Sequence, residues 1–480
     1  MAYFLGVSSQ IDILLLAQIV PTILQAMIGG GAGEILVIKR NKVISNEGFF
    51  EAVYITICLG IIILLGILYL ISLGWFIPFF NLNPETTSLF KTMSIIFIVN
   101  MIPGTFTSIL RPHLYSKGLY GFFTYSSVIS QIIGVGFIFA TIKSLGIFSF
   151  AYGLLLTSFI NAFWFSLKSE IPFQEIFYIN GWKMEFNNLK IMLNRVFSLS
   201  LQTLFNQLGT FWERSLSVKY LSGGYLSSLN YAKTLSELPN VVLLSSVLTT
   251  SYMEQVKRHK KDNNSFSEYT VKTLKILLNV GFILQLLMLF FAPVLIIVIF
   301  RRGKFDNNAV QSTLIIFNIL TVSFLPRMLL NFFSRTMYIV GEYKKLFWAV
   351  VFKFIIQLLI MVSFITLFYQ AIPVAILAGN IFIAILLFYY VGNKTQLPSI
   401  GFFIGRLIFI SGISLLLLFI HTYTLPLYIN KSTFQIILIF TPFMILSFII
   451  FYFFLRKRGL LPDIITRYNL GRYTKNRFNK

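Results

Sequence analysis

The sequence predicts an all-α protein that threads a membrane about thirteen times, and three observations predict it. Of its 480 residues 57% are hydrophobic and only 11% charged, against roughly 25% charged in a typical soluble domain. Its apolar residues fall in continuous runs long enough to cross the hydrocarbon, for which roughly 20 residues are needed. Its cations gather in the short segments between those runs. In water such a chain would expose far more apolar surface than a globule tolerates.

The runs lie near 12–38, 52–76, 92–110, 121–142, 146–167, 195–219, 226–252, 273–300, 311–332, 346–369, 372–392, 403–421 and 434–455. They are unbroken rather than alternating over short segments, which excludes a β-barrel. The net charge of +23 needs no nucleic acid to explain it. Alternate loops hold Lys39-Arg40, Arg111 with Lys117, Lys168 to Arg195, Lys257-Arg258-His259-Lys260-Lys261, Arg335 with Lys344-Lys345, Lys394 and the tail from Arg456. That set carries roughly 27 Lys and Arg against about 7 opposite, so it faces the cytoplasm together with the C-terminus. The discordant loop is Arg301-Arg302-Gly303-Lys304, and Met1 falls outside. A single cysteine, Cys58, excludes an internal disulfide, and the three histidines are scattered.

Two signatures recur about 220 residues apart, as a duplicated unit requires. Ala17-Gln18-Ile19-Val20-Pro21-Thr22 matches Ser236-Glu237-Leu238-Pro239-Asn240, each setting a proline inside a span where it bends the helix. Tyr115-Ser116-Lys117-Gly118-Leu119-Tyr120 matches Tyr338-Ile339-Val340-Gly341-Glu342-Tyr343, each shortly after an arginine, Arg111 or Arg335. An even number of spans separates the copies, so the repeat is parallel, an architecture of transporters with two bundles about a central site. The lobes are expected at 1–190 and 191–395, with two additional helices over 396–455 and a basic cytoplasmic tail at 456–480.

Ionisable side chains inside a bilayer demand a function. The candidates are Asp12, Glu34, Glu213-Arg214, Lys233, Glu237, Arg327, Lys353 and Arg406; the positions of Lys353 and Arg406 near helix ends suit snorkelling. Lys233 and Glu237 stand four residues apart on one helix face, within reach of an ion pair. Deep in the helices the balance leans cationic through Arg214, Lys233 and Arg327, which suits a phosphate or pyrophosphate rather than an organic cation. Gly29-Gly30-Gly31-Ala32-Gly33 is a close-packing or hinge segment, because no GK[ST] follows it and no nucleotide loop is formed. No nucleophile–base set or metal spacing appears, so neither an enzyme nor a cofactor is expected. These features point to passage across a membrane rather than chemistry.

The residues Phe4-Leu5-Gly6-Val7-Ser8-Ser9-Gln10-Ile11-Asp12, Ile19-Val20-Pro21, Leu229-Asn230-Tyr231-Ala232, Glu237-Leu238-Pro239, Arg302-Gly303-Lys304-Phe305 and Ser334-Arg335-Thr336-Met337-Tyr338-Ile339-Val340-Gly341 resemble the MurJ/MviN lipid II flippases. These belong to the multidrug/oligosaccharidyl-lipid/polysaccharide exporter superfamily. The resemblance implies two pseudo-symmetric six-helix lobes around a cationic cavity, plus two C-terminal helices that form a groove for a polyprenyl tail. The family's Gly-x-x-x-x-Asp segment lies here at Gly6 to Asp12, which implies that this chain begins after the family's first helix. The implied activity is transfer of a polyprenyl-pyrophosphate-linked saccharide, a peptidoglycan precursor in cell-wall biosynthesis, from the cytoplasmic to the outer leaflet of a bacterial inner membrane. Alternating access would be coupled to membrane potential or a monovalent ion and not to ATP. A monomer surrounded by membrane lipids, with envelope-synthesis enzymes as partners, is the expected setting.

Asp12 matches the family acid at the head of the second helix, Gln25 stands at a functional arginine, and Lys233-Thr234 replaces an Asp-Arg pair. These departures bring in another lipid-linked saccharide, such as a capsule or exopolysaccharide unit used in polysaccharide export, as a competing cargo. Arg214, Lys233 and Arg327 are expected to hold the pyrophosphate, with Asp12, Gln25 and Glu237 giving polar contacts. Pro21, Pro239, Gly30 and Gly31 are the expected hinges, and Arg335, Tyr338 and Gly341 a cytoplasmic loop motif. The rival readings are an ion-coupled multidrug exporter on the same fold, which calls for an acidic, aromatic cavity, and a membrane sugar polymerase, which calls for a large outside loop rich in Arg and His.

Overall fold

A computed structural model of the chain describes residues 2–30, 47–116, 119–169, 203–241, 245–393, 395 and isolated positions between 405 and 442. These residues form helices and their connections, with no strand among them. In order they are α1 (Ala2–Leu5), α2 (Ser9–Gln25), α3 (Glu47–Phe79), α4 (Pro84–Ser116), α5 (Tyr120–Leu145) and α6 (Phe148–Ser169). Then follow α7 (203–220), α8 (Tyr225–Pro239), α9 (Ser245–Lys261), α10 (Asn263–Phe290), α11 (Ala292–Phe300), α12 (Asn307–Val322), α13 (Phe324–Val340), α14 (Tyr343–Phe364) and α15 (Ala371–Gly392). Among the described residues eight helices are long and apolar enough to cross a membrane, and α12 with α13, bent at 43°, pass the same test only as a pair. The expected runs 403–421 and 434–455, with Arg406, the proposed tail groove and the tail from 456, lie outside the described residues except for isolated positions.

The chain divides into two compact units, one of Val7–Ser227 with Phe354–Ile372 and one of Ala2–Gly6, Ser228–Lys353 and the residues from Pro373 on. In the first, α2 packs on α3 and α4, and α4 and α5 pack on α6. α2 buries residues on every side, from Ile11 through Leu16 to Ile23, as a central helix must. The outer helices do the reverse. α3 exposes Leu64, Ile71 and Trp75, and α5 exposes Ile132 and Phe139, a surface that lipid satisfies and water does not.

α2 runs through Pro21, which lacks the N–H that would bond the carbonyl four residues back. One turn later the chain widens into a π turn at Ala26–Gly30. Gly29 is there because a Cβ would lie 2.7 Å from the Ser108 Cβ on α4. Close packing therefore begins at Gly29; Gly31 lies outside the described residues.

In the second unit two expected spans are broken among the described residues, and a proline stands just after each break. In the run 226–252, α8 spans Tyr225–Pro239 and α9 Ser245–Lys261, and residues 242–244 lie outside the described residues. The run 273–300 divides at Phe291, just before Pro293 in the first turn of α11. The run 311–332 divides at Ser323, where α12 and α13 meet at 43°, because Pro326 cannot donate to the carbonyl of Val322. That break frees the Leu325 amide, and Gln285 of α10 takes it at 3.2 Å. Asp262 and Asp306 cap α10 and α12 by accepting the Ser265 and Ala309 amides at 3.0 and 2.8 Å.

One backbone bond recurs in both copies of the second repeat signature. The Leu119 amide donates to the Leu114 carbonyl at 3.1 Å, and the Glu342 amide to the Met337 carbonyl at 3.1 Å. Each bond reaches back five residues, and the second closes the end of α13 in the Schellman manner. Gly341 sits at φ +80°, the left-handed turn that this stop needs. Tyr-x-x-Gly-x-Tyr is thus a helix terminator first, with the Tyr338 and Tyr343 rings 5.7 Å apart across it.

Candidate functional site

The charged residues singled out in the spans fall into two groups, one in each unit. In the first unit Asp12 is 4% exposed. Its Oδ2 accepts the Gly224 amide at 2.7 Å and its Oδ1 accepts the Ser227 amide at 2.7 Å. The Ser227 hydroxyl also donates to Oδ1 and contacts the Ser8 carbonyl. Gly224 is the residue before α8 and Ser227 its third, so Asp12 takes both amides that a capping box satisfies. Glycine at the cap has no side chain of its own to offer. It is required there because φ is +94° and a Cβ would meet the Val7 Cγ1 at 2.5 Å. A carboxylate from α2 supplies the missing cap and complements the positive end of α8.

Arg214 on α7 donates from Nη1 to the Leu15 carbonyl, one turn along α2 from Asp12. Its neighbour Glu213 is buried. Asp12 and Arg214 thus tie α2 to the segment 203–227. Gln25, at the end of α2, lies over α4, where a Cβ at Gly104 would come 2.6 Å from its Nε2. Gly104 leaves the room that this amide fills.

In the second unit Lys233 and Glu237 share a face of α8, as their spacing predicts. The carboxylate of Glu237 receives Arg327, whose Nη1 donates to Oε1 at 2.7 Å. Nη2 of Arg327 donates to the Ser323 hydroxyl at 3.1 Å, at the break between α12 and α13. Asn380 of α15 reaches the same hydroxyl from Nδ2 at 3.5 Å. The structure therefore joins Glu237, Arg327 and the bend, a grouping that local spacing does not reveal. Pro326 was the one sequence signal for it.

The motif residues near the N-terminus also converge in this unit. The Tyr231 hydroxyl donates to the Gly6 carbonyl at 3.1 Å, and the Lys304 amide to the Tyr3 carbonyl at 3.1 Å. Gly6 and Gly303 have φ of +64° and +61°, and a Cβ on either would strike the backbone of Lys304 or Tyr3. Phe300, Phe305 and Tyr231 pack their rings beside this crossing, with centroids 5.2 to 5.8 Å apart. Phe4-Leu5-Gly6, Asn230-Tyr231 and Arg302-Gly303-Lys304-Phe305 are thereby explained as one interlock.

Many long apolar helices, one pair of them bent at a proline, define a polytopic helical membrane protein. The family described as "Lipid II flippase MurJ" matches residues 1–460, and the chain belongs to that family. A solved structure described as "Lipid II flippase MurJ, inward closed conformation" is similar at 22% identity and TM-score 0.73, covering 95% of each chain. A multidrug resistance MATE family transporter of the MOP superfamily, in an inward-facing conformation, is similar at 15% identity and TM-score 0.62, over 81% of this chain and 91% of that one. A MOP superfamily transporter from Pyrococcus furiosus, described by the reversed polarity of its binding pocket, is similar at 13% identity and TM-score 0.52, over 80% and 86%. At these identities the likenesses establish the fold. Among curated protein sequences none matches.

Proposed function

We propose that this chain is a flippase that carries a polyprenyl-pyrophosphate-linked saccharide of the lipid II type from the cytoplasmic to the outer leaflet, opening to one leaflet at a time. The family match over residues 1–460 carries this reading. The membrane is the bacterial inner membrane, with the basic loops and the C-terminus on the cytoplasmic side, by the positive-inside rule. Transport draws on membrane potential or a monovalent ion. The protein works as a monomer among envelope-synthesis enzymes.

Arg327 and Lys233 are the groups we assign to the pyrophosphate, since an arginine fork matches phosphate oxygens in a bidentate manner. Gln25 offers a further polar contact, and Glu237 is the carboxylate paired with Arg327. Asp12 holds α2 to the start of α8 and Arg214 holds it to α7, and Pro21 and Pro239 mark the helices that flex. The test is a leaflet-accessibility assay in a strain depleted of its own lipid II flippase. Lys233→Ala and Arg327→Ala should each slow transfer, and the double variant should abolish it. Wild-type transfer by the double variant at equal expression would reject the assignment. Failure of the wild type to sustain such a strain, with restored capsule or exopolysaccharide export in a strain lacking that flippase, would instead assign a different saccharide.

A further inference from the structure

Arg327 lies in the bent pair α12 and α13, where its guanidinium is bonded to Glu237 and to the Ser323 hydroxyl. Its side chain is 16% exposed, while that of Glu237 is 49% exposed. Glu237 is thus the more accessible partner of the pair and Arg327 the more enclosed. A carboxylate and a phosphate present similar oxygens to a guanidinium fork. An anion approaching Arg327 meets Glu237 as well and is repelled by it. It gains the arginine only if the carboxylate leaves.

From this geometry we infer that Glu237 is a built-in stand-in for the cargo's pyrophosphate: it holds Arg327 while the carrier is empty and gives way when the anionic headgroup arrives. The inference rests on the assignment of Arg327 to the pyrophosphate. Two features support an exchange rather than a fixed structural pair. Stranding a lone arginine inside an apolar span is costly, so an empty carrier needs a counter-charge there. That counter-charge must itself be easy to release, and a half-exposed carboxylate can be hydrated as it leaves. Arg327 also keeps a second tie, from Nη2 to the Ser323 hydroxyl at the helix break. Exchange on Nη1 is therefore felt at the bend, where the Ser323 hydroxyl also accepts from Asn380.

The experiment measures direct binding of farnesyl pyrophosphate to the full chain in lipid nanodiscs. The variants are Glu237→Gln, Glu237→Ala, Arg327→Gln and the double Glu237→Gln/Arg327→Gln, each first shown to melt cooperatively. Removing the competing charge should tighten binding about tenfold in both Glu237 variants, and the double variant should bind more weakly than Glu237→Gln alone. Glu237→Gln should also transfer cargo more slowly, because the headgroup is no longer pushed off. If Arg327→Gln weakens binding while neither Glu237 variant binds tighter than wild type, the stand-in idea is overturned and the pyrophosphate assignment survives. If wild type and the Glu237 variants all fail to bind the probe, the assignment of Arg327 fails and takes the inference with it.

Discussion

Asp12 gives the sharpest test of how the first unit is held. Its carboxylate is the acceptor for two buried amides, those of Gly224 and Ser227, and for the Ser227 hydroxyl. A hydrogen bond to a charged group contributes about 1.5–3 kcal/mol, so Asp12→Ala should cost about 3–6 kcal/mol for the two amides together. That is a large share of the 5–15 kcal/mol typical of a whole domain. Asp12→Asn keeps one oxygen but turns an amide N–H₂ toward the other donor. It should lose about half as much, about 1.5–3 kcal/mol. Ser227→Ala removes only the hydroxyl and should cost about 1 kcal/mol. The assay is denaturant unfolding in detergent micelles followed by tryptophan fluorescence, with hydrogen exchange of the amides over 224–228 as the local readout. The order should be Asp12→Ala, then Asp12→Asn, then Ser227→Ala. An Asp12→Asn protein as stable as wild type, with unchanged protection at Gly224, would refute the cap.

Gln285→Leu should destabilise the second unit by about 1–3 kcal/mol, because the buried Leu325 amide loses its acceptor; an unchanged unfolding midpoint would show that another group satisfies it. Gly341→Ala meets no atom within 4 Å and should cost only the left-handed penalty of about 1–2 kcal/mol. Gly303→Ala adds a collision with the Tyr3 backbone to the same penalty, so equal unfolding midpoints for the two variants would discredit the interlock. At the exposed cap of α10, hydrogen bonds from the amides of Ser265 and Asn264 hold the Asp262 carboxyl below its ordinary range. A depressed carboxyl stabilises the fold above its unfolded pKa and loses that effect as pH falls through the folded value. Exchange protection of the Ser265 amide, corrected for intrinsic rates, should therefore stay level from pH 8 to about 5 and fall only below the usual carboxylate range near 4. A loss centred above pH 5 would contradict the cap.

The spans were legible because lipid imposes a simple rule on composition, and α3, α4, α5, α6, α14 and α15 lie where the apolar runs predict. The breaks were less so. Hydropathy averages over a window and passes smoothly across Ser323, although Pro326 carried the information that α12 cannot continue into α13. Tyr-x-x-Gly-x-Tyr was visible as a repeat, yet its reason, a five-residue backbone bond at a helix end, is a matter of φ and ψ. The charged partners were the least legible. Spacing offered Lys233 to Glu237, one turn away, but it could not offer the bond from Arg327, which spans 90 residues. Likewise Asp12 could be matched to a family acid, but nothing local tells it from a ligand-facing carboxylate. Its partner Gly224 lies 212 positions later and needs a cap only because of its own backbone angle.

The charges in these spans differ in what would happen if cargo displaced their partners. Pulling Asp12 away would orphan two buried amides, at about 1–3 kcal/mol each. Arg214 is bonded to a backbone carbonyl in the middle of α2, and a carbonyl in a packed helix cannot swing aside to let a phosphate in. Glu237 is different in kind: it is a side chain, half-exposed, on a helix that ends two residues later at Pro239. Its departure breaks no backbone bond, and water can replace what Arg327 gave it. Cargo that competes for a cation will take the one whose partner leaves at least cost. Selection among Arg214, Lys233 and Arg327 is thus decided less by where positive charge lies than by what each charge is already holding. By that criterion Arg327 can be recruited by an anionic headgroup, while Arg214 belongs to the frame.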